Sequence, residues 1–182
     1  MNLENKVELF MEDHQLQHNT ILLAVSGGID SICLLHILYS LNFDIKVAHC
    51  NFQLRGSESN EDELFVKELC KHLNIPFYCK RFDTKSYCAG KKISTQMGAR
   101  ELRYEWFETL RKQTNTDKIA TGTNQNDVIE TFLINFGRGT GISGLSGISP
   151  TKEHLIRPLI NTTRLDIEAY ITTNKIHHRE DS

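Results

Sequence analysis

Apolar residues recur along this chain with two different periods. Leu3, Val7, Phe10 and Met11 stand three and four apart, which predicts a helix over 3–17 that packs by one face. Thr20 to Leu23 is β-branched and apolar, so strand one is expected over 20–25. Ile32 to Leu38 predicts a buried helix reaching about Ser40, which Asn42 and Asp44 break. Ile45 to Cys50 reads as strand two, parallel to the first through a right-handed crossover. A helix follows from about Asn60, opened by Ser59 and Asp62 as a capping box, with Leu64, Phe65, Leu69 and Leu73 as its apolar stripe. Pro76 precedes strand three at 77–82. Residues 83–93 show no period, carry Gly90 and several lysines, and read as a mobile loop. A long helix is expected from Thr95 to about Lys112, with Met97, Leu102, Trp106, Phe107 and Leu110 inward. Strand four is 118–121. Asn124 to Asp127 lead into a helix over 128–136, and 137–147 form a glycine-rich loop. His154 to Ile156 make a short fifth strand stopped by Pro158, and 166–173 a last helix. Strands alternating with helices predict an α/β fold: a doubly wound parallel sheet of about five strands with helices on both faces.

The first strand and the buried helix after it are joined by Ala24-Val25-Ser26-Gly27-Gly28-Ile29-Asp30-Ser31. Two glycines permit a tight turn and close approach of a ligand. The serines offer hydroxyl donors and N-cap chemistry. N–H groups at the helix start, with the dipole behind them, make an anion site, and the usual anion is a phosphate. The lysine of a Walker A loop and the spacing of a dinucleotide loop are both absent. Asp30 suits magnesium, which prefers carboxylate and phosphate oxygens. The competing reading is a plain glycine turn with a capping aspartate. The pattern S-G-G-x-D-S resembles the loop of the PP-loop ATP pyrophosphatases, which cleave ATP to AMP and pyrophosphate. That resemblance implies that Ser26, Gly27, Gly28, Ile29, Asp30 and Ser31 hold the pyrophosphate end of ATP, and that Asp30 helps hold Mg2+.

Composition narrows the class. A chain of 182 residues with 39% hydrophobic content fits one domain, 1–182, with a packed core. A net charge of −2 gives no global pull toward nucleic acid or an anionic membrane. The charge is uneven, however: Lys80, Arg81, Lys85, Lys91 and Lys92 form a basic run, and 58–68 is acidic. Cys33, Cys50, Cys70, Cys79 and Cys88 contain no C-x-x-C pair, which argues against a zinc ribbon or an iron–sulfur cradle. The first four sit in apolar stretches as small hydrophobes. The odd count fits a reducing cytoplasm. Residues 1–13 lack the apolar core of a signal peptide, and no run approaches the roughly 20 apolar residues of a membrane span.

Further motifs extend the resemblance from about residue 20 to the end. They are His49 followed by Leu54-Arg55-Gly56-Ser57-Glu58-Ser59; Ala99-Arg100-Glu101-Leu102-Arg103-Tyr104-Glu105-Trp106; and Asp127-Val128-Ile129-Glu130-Thr131. The loop Arg138-Gly139-Thr140-Gly141-Ile142-Ser143-Gly144-Leu145-Ser146-Gly147, the triplet Arg157-Pro158-Leu159 and the terminal Arg179-Glu180-Asp181-Ser182 complete them. In this order they are similar to the N-terminal catalytic domain of the tRNA(Ile)-lysidine synthetase family. The resemblance implies a cytoplasmic ligase that uses ATP to adenylate C2 of the wobble cytidine, position 34, in tRNA(Ile) with a CAU anticodon. L-lysine then displaces AMP. A homodimer is compatible with it. The family's C-terminal tRNA-holding domains are absent from these residues, so the resemblance implies ATP binding here and weak grip on tRNA.

By the same resemblance Asp127 and Glu130 are candidates to hold magnesium or orient the amine. Arg100 and Arg103 suit bidentate phosphate binding, and His49 and Arg138 join the nucleotide set. Each has a plainer alternative: the arginines in surface pairs with Glu101 or Glu105, the acids as ordinary helix-start residues, His49 as the end of a strand. One departure stands out. The family's histidine four residues before the aspartate is Thr123 here, and Asn124 follows where a second histidine is common. Threonine is no acid or base near neutral pH. That histidine is dispensable, or replaced, or the chain is inactive. The competing functions are another PP-loop enzyme, such as a tRNA thiolase or an amidotransferase-type synthetase, and a non-catalytic tRNA-binding relic. The missing C-x-x-C cysteines speak against the thiolase.

Overall fold

The computed structural model describes residues 2–137 and 147–179. Its sheet has the order β3-β2-β1-β4-β6-β5. The strands are β1 (Ile21–Ala24), β2 (Ile45–Asn51), β3 (Phe77–Arg81), β4 (Lys118–Ala120), β5 (Thr151–Lys152) and β6 (Leu155–Ile156). Neighbours from β3 through β6 are parallel, and β5 alone runs antiparallel, against β6. The five parallel strands are those expected; the sixth is a two-residue addition that turns back through Glu153 at φ 52°. The helices are α1 (Leu3–Asp13), α2 (Ile29–Ser40), α3 (Ser57–His72), α4 (Thr84–Lys91), α5 (Thr95–Gln113), α6 (Gln125–Gly137) and α7 (Arg164–Thr173).

Strand alternation sorts the core onto two faces. Ile21, Leu23 and Val47 point to one side, where they meet Val7 and Met11 of α1, Ile32, Leu35 and Leu38 of α2, Val66 of α3 and Ile167 of α7. Leu22, Ala48 and Ile119 point to the other, against Trp106, Phe107 and Leu110 of α5. Each fully buried Val, Leu, Ile, Phe or Met among them contributes about 1.5–3 kcal/mol relative to exposure. The helix α2 is apolar nearly all round because strands and α7 enclose it, as expected for a buried helix.

Four local expectations fail. Residues 84–91 fold as α4 rather than a loop: Asp83 caps it by accepting from the Ser86 N–H at 3.1 Å, and Thr84 and Cys88, four apart, are buried. The helix α3 begins at Ser57, so Ser59 and Asp62 form no capping box; Ser59 Oγ accepts from the Arg55 N–H and Asp62 is buried in ion pairs. Of its expected apolar stripe, Phe65, Leu69 and Leu73 pack half-buried on the core beside the fully buried Val66 and Cys70, and only Leu64 is exposed. Met97 is likewise exposed on α5.

Candidate active site

The chain leaves β1 for β2 and β3 on one side, then returns to β4 on the other. The gap between the carboxyl ends of β1 and β4 is the switch point where open α/β sheets bind ligands. A cleft of about 280 Å³ lies there, lined by Ala24 to Ser26, Gly28, Asp30 and Ser31, Ala48 and Cys50 of β2, Phe52 beyond it, Arg103 and Phe107 of α5, Thr121 to Thr123, and Asp127.

The loop at its floor is held open by its own hydroxyls. Ser31 Oγ donates to the Gly28 carbonyl at 2.9 Å and accepts from the Ser26 N–H at 3.2 Å, while Ser26 Oγ accepts from the Gly28 N–H at 3.2 Å. The serines therefore do not cap α2. Its N-cap is Gly28, with no side-chain cap, so the first N–H groups of the helix face the cleft end without a hydroxyl on them. Gly27 turns with φ +107°, a conformation closed to most side chains. Ile29 sends its side chain into the core and contributes backbone only. Gly122, after β4, lies so close to α2 that a Cβ would stand 2.9 Å from the Asp30 carbonyl carbon.

Asp30 is the charged centre. Arg164 Nη1 donates to both of its oxygens at 2.9 and 3.1 Å, and Asn124 Nδ2 donates to Oδ1 at 3.1 Å. Burial pushes its carboxyl above the ordinary carboxylate range; Arg164 and Asn124 pull it back, and the nearby Asp127 charge adds to the rise. Asn124 is buried and also accepts from the N–H groups of Asn126 and Asp127, so one amide ties the start of α6 to the loop. Thr123 lines the cleft with its hydroxyl 3.1 Å from that of Thr121. Among the described residues no cluster of three or more His, Cys, Asp or Glu forms a metal cage.

The other expected residues separate. Arg103 lines the cleft, its guanidinium 5.3 Å from the Phe52 ring centroid. Arg100 is exposed and stacks on Tyr104 at 5.1 Å, outside the cleft wall. Glu101 pairs with Lys91 at 3.0 Å. Asp127 faces the cleft, whereas Glu130, one turn on, is exposed and does not line it. His49 is a correction: it points to the opposite face of β2 from Ala48, is 2% exposed, and its Nδ1–H donates to the Val25 carbonyl at 2.8 Å. Burial holds its pKa below the ordinary imidazole value, so it is a neutral brace under the loop. Arg138 lies outside the described residues. Cys50 lines the cleft, but burial pushes its thiol up to about 12, so it supplies no thiolate near neutral pH.

Arg164 and Asn124 were not anticipated as site residues. The signal for Arg164 was a cation at the first position of a helix, where the dipole disfavours positive charge unless a carboxylate waits nearby.

Comparison with known proteins follows the same lines. A tRNA(Ile)-lysidine synthase of Porphyromonas gingivalis is 44% identical over 187 residues, covering 100% of this chain and 41% of that protein. Those of Bacteroides thetaiotaomicron and Chlorobaculum tepidum are 44% and 45% identical, covering 91% and 90% of this chain and 38% and 50% of theirs. The chain thus spans half or less of the curated relatives it matches. A solved U34-tRNA thiolase from Methanococcus maripaludis superposes with TM-score 0.81 over 99% of this chain and 65% of its own, at 16% identity, a likeness of fold alone. The family description "PP-loop domain" matches residues 1–182, and the chain belongs to that family.

Proposed function

We propose that this chain is the ATP-using catalytic domain of a tRNA(Ile)-lysidine synthetase. The observation that carries the reading is the loop itself: an S-G-G-x-D-S turn whose helix start is uncapped by any side chain, with Asp30 and Asp127 beside it in the cleft. The identity to lysidine synthases along the whole chain supports the choice within the PP-loop family. The loop N–H groups would hold the pyrophosphate end of ATP, and Arg103 suits a phosphate or the planar base of the substrate. The donor set fits magnesium, which keeps waters and binds through one or two carboxylates plus substrate phosphates rather than an all-protein cage. Asp30 and Asp127 would hold it, and when bound it neutralises phosphate charge.

The reaction is two displacements. The C2 oxygen of the wobble cytidine attacks the α-phosphorus of ATP and pyrophosphate leaves. The amine of L-lysine then attacks C2, loses a proton, and AMP leaves. With Thr123 in place of a histidine, the carboxylates lining the cleft are Asp30 and Asp127; Asp30 is engaged by Arg164, which leaves Asp127 to take that proton. The thiolase reading loses ground, because the cleft cysteine is held protonated and the described residues form no cysteine cluster. The test is mass analysis of nucleosides after incubating the protein with tRNA(Ile) transcript, ATP and lysine. Lysidine, with AMP formed one for one, is expected. ATP consumption yielding a thiolated or simply aminated nucleoside, or no ATP-dependent product at all, would overturn the assignment.

A further inference from the structure

We infer that Arg179 is a positioning residue for the phosphate loop, its backbone setting the Gly27–Gly28 peptide plane and its side chain anchoring that backbone to α3. The inference rests on the reading of this loop as a pyrophosphate site.

The Arg179 N–H donates to the Gly27 carbonyl at 2.9 Å, within a parallel bridge between Gly28 and Arg179. A trans peptide is planar, so the Gly27 carbonyl and the Gly28 N–H point in opposite directions. With the carbonyl committed to Arg179, the Gly28 N–H is turned into the loop, where it meets Ser26 Oγ at 3.2 Å. Flipping this one peptide would aim a carbonyl oxygen at the anion in place of a donor. Two consecutive glycines resist such a flip very little. Ser26 Oγ holds the N–H side of this peptide from within the loop; the carbonyl side needs a hold from outside.

The arginine side chain supplies it. Nε donates to Asp62 Oδ1 at 3.1 Å and Nη2 to Glu61 Oε2 at 2.8 Å. Asp62 is 7% exposed, and its second oxygen accepts from Arg55 Nη2 at 2.7 Å. The stem of Arg179 packs on the loop: a Cβ at Gly27 would lie 3.6 Å from Arg179 Cγ and 3.6 Å from Val66 Cγ2. Gly27 is thus clasped between α3 and Arg179, which the α3 carboxylates hold in register.

The test measures binding of magnesium pyrophosphate, and separately of adenosine, by calorimetry on the intact protein. Arg179→Ala keeps the backbone donor and loses the anchor; Arg179→Pro loses both; Arg179→Lys keeps a cation for Asp62. Pyrophosphate affinity should fall about tenfold in the alanine variant, fall further in the proline variant and largely recover with lysine. Adenosine affinity should stay within about twofold. Exchange of the Gly28 amide should quicken in the same order. If the proline variant fails to fold, the alanine and lysine variants decide. Unchanged pyrophosphate binding in Arg179→Ala would overturn the inference, as would equal losses for pyrophosphate and adenosine, which mark general loosening. A wild-type protein that binds no pyrophosphate would overturn the loop reading, and this inference with it.

Discussion

Arg164, the first residue of α7, grips both oxygens of Asp30, the second residue of α2, from 134 positions away in the chain. The pair brings a cation into the mouth of the loop and offsets part of the desolvation that raises the pKa of this partly buried carboxyl.

Replacing that carboxyl should separate chemistry from stability. Asp30→Asn retains shape and a partner for Asn124, and Arg164 keeps Glu168 at 3.0 Å. The melting temperature should move by no more than about 4 °C. ATP-dependent nucleoside modification should drop at least about 100-fold. Turnover at the wild-type rate would remove Asp30 from the mechanism.

Gly122→Ala should do the reverse, harming the fold and the site together. The new methyl meets backbone of Asp30 and Ser31 at 2.9–3.0 Å, and that backbone cannot retreat without moving the loop. A loss of about 1–3 kcal/mol is expected by denaturant titration, with weaker ATP binding. Unaltered stability would mean the strand-to-helix gap is wider than described.

Gly90 offers a test of α4. Nothing lies within 4 Å of a Cβ there, and the residue is in the last turn of that helix. Gly90→Ala should therefore raise stability by up to about 1 kcal/mol through helix propensity. A mobile segment would gain nothing, so a flat melting temperature returns residues 84–91 to a loop.

The two arginines of α5 should divide. Arg103 faces the cleft and Arg100 does not. Arg103→Ala should cut kcat/KM by about 10–100-fold, and Arg100→Ala by much less. Equal effects in steady-state kinetics would show that substrate reaches beyond the cleft wall.

Glu63 governs acid behaviour. Its carboxylate takes two bonds from Arg81, at 2.9 and 3.0 Å, and one from Asn51 at 2.8 Å, tying α3 to the ends of β2 and β3. The Arg81 hydrogen bonds pull its pKa down to about 2. A depressed acid stabilises above its unfolded value, and that stability is lost as pH falls toward the folded value. The stability gap between wild type and Glu63→Gln should be widest near neutral pH and close between about pH 4.5 and 2. A gap independent of pH across that range would refute the role.

The sequence made the strands and buried helices legible because their apolar periods survive tertiary contact. Leu3, Val7, Phe10 and Met11 are all buried, as their spacing required. It hid α4 because only Thr84 and Cys88 mark its inner face, and both are small. Within the site, Asp30 and Asp127 were readable from local motif. His49 was misread because a strand residue's face depends on register, and one position's shift separates cleft from core. Arg164 and Asn124 escaped because their partner is distant in sequence, and no local period records such a pairing.

The two margins of the sheet carry a last consequence. At one margin β3 ends in the exposed Lys80 and Arg81; at the other β5 is only two residues long. A stray strand from a second molecule would meet the Lys80 charge and the Arg81–Glu63 ion pair on the first side and too few backbone groups on the second. The domain is therefore a poor template for cross-strand aggregation, although its interior is a stack of parallel, apolar strands that would nucleate it if exposed.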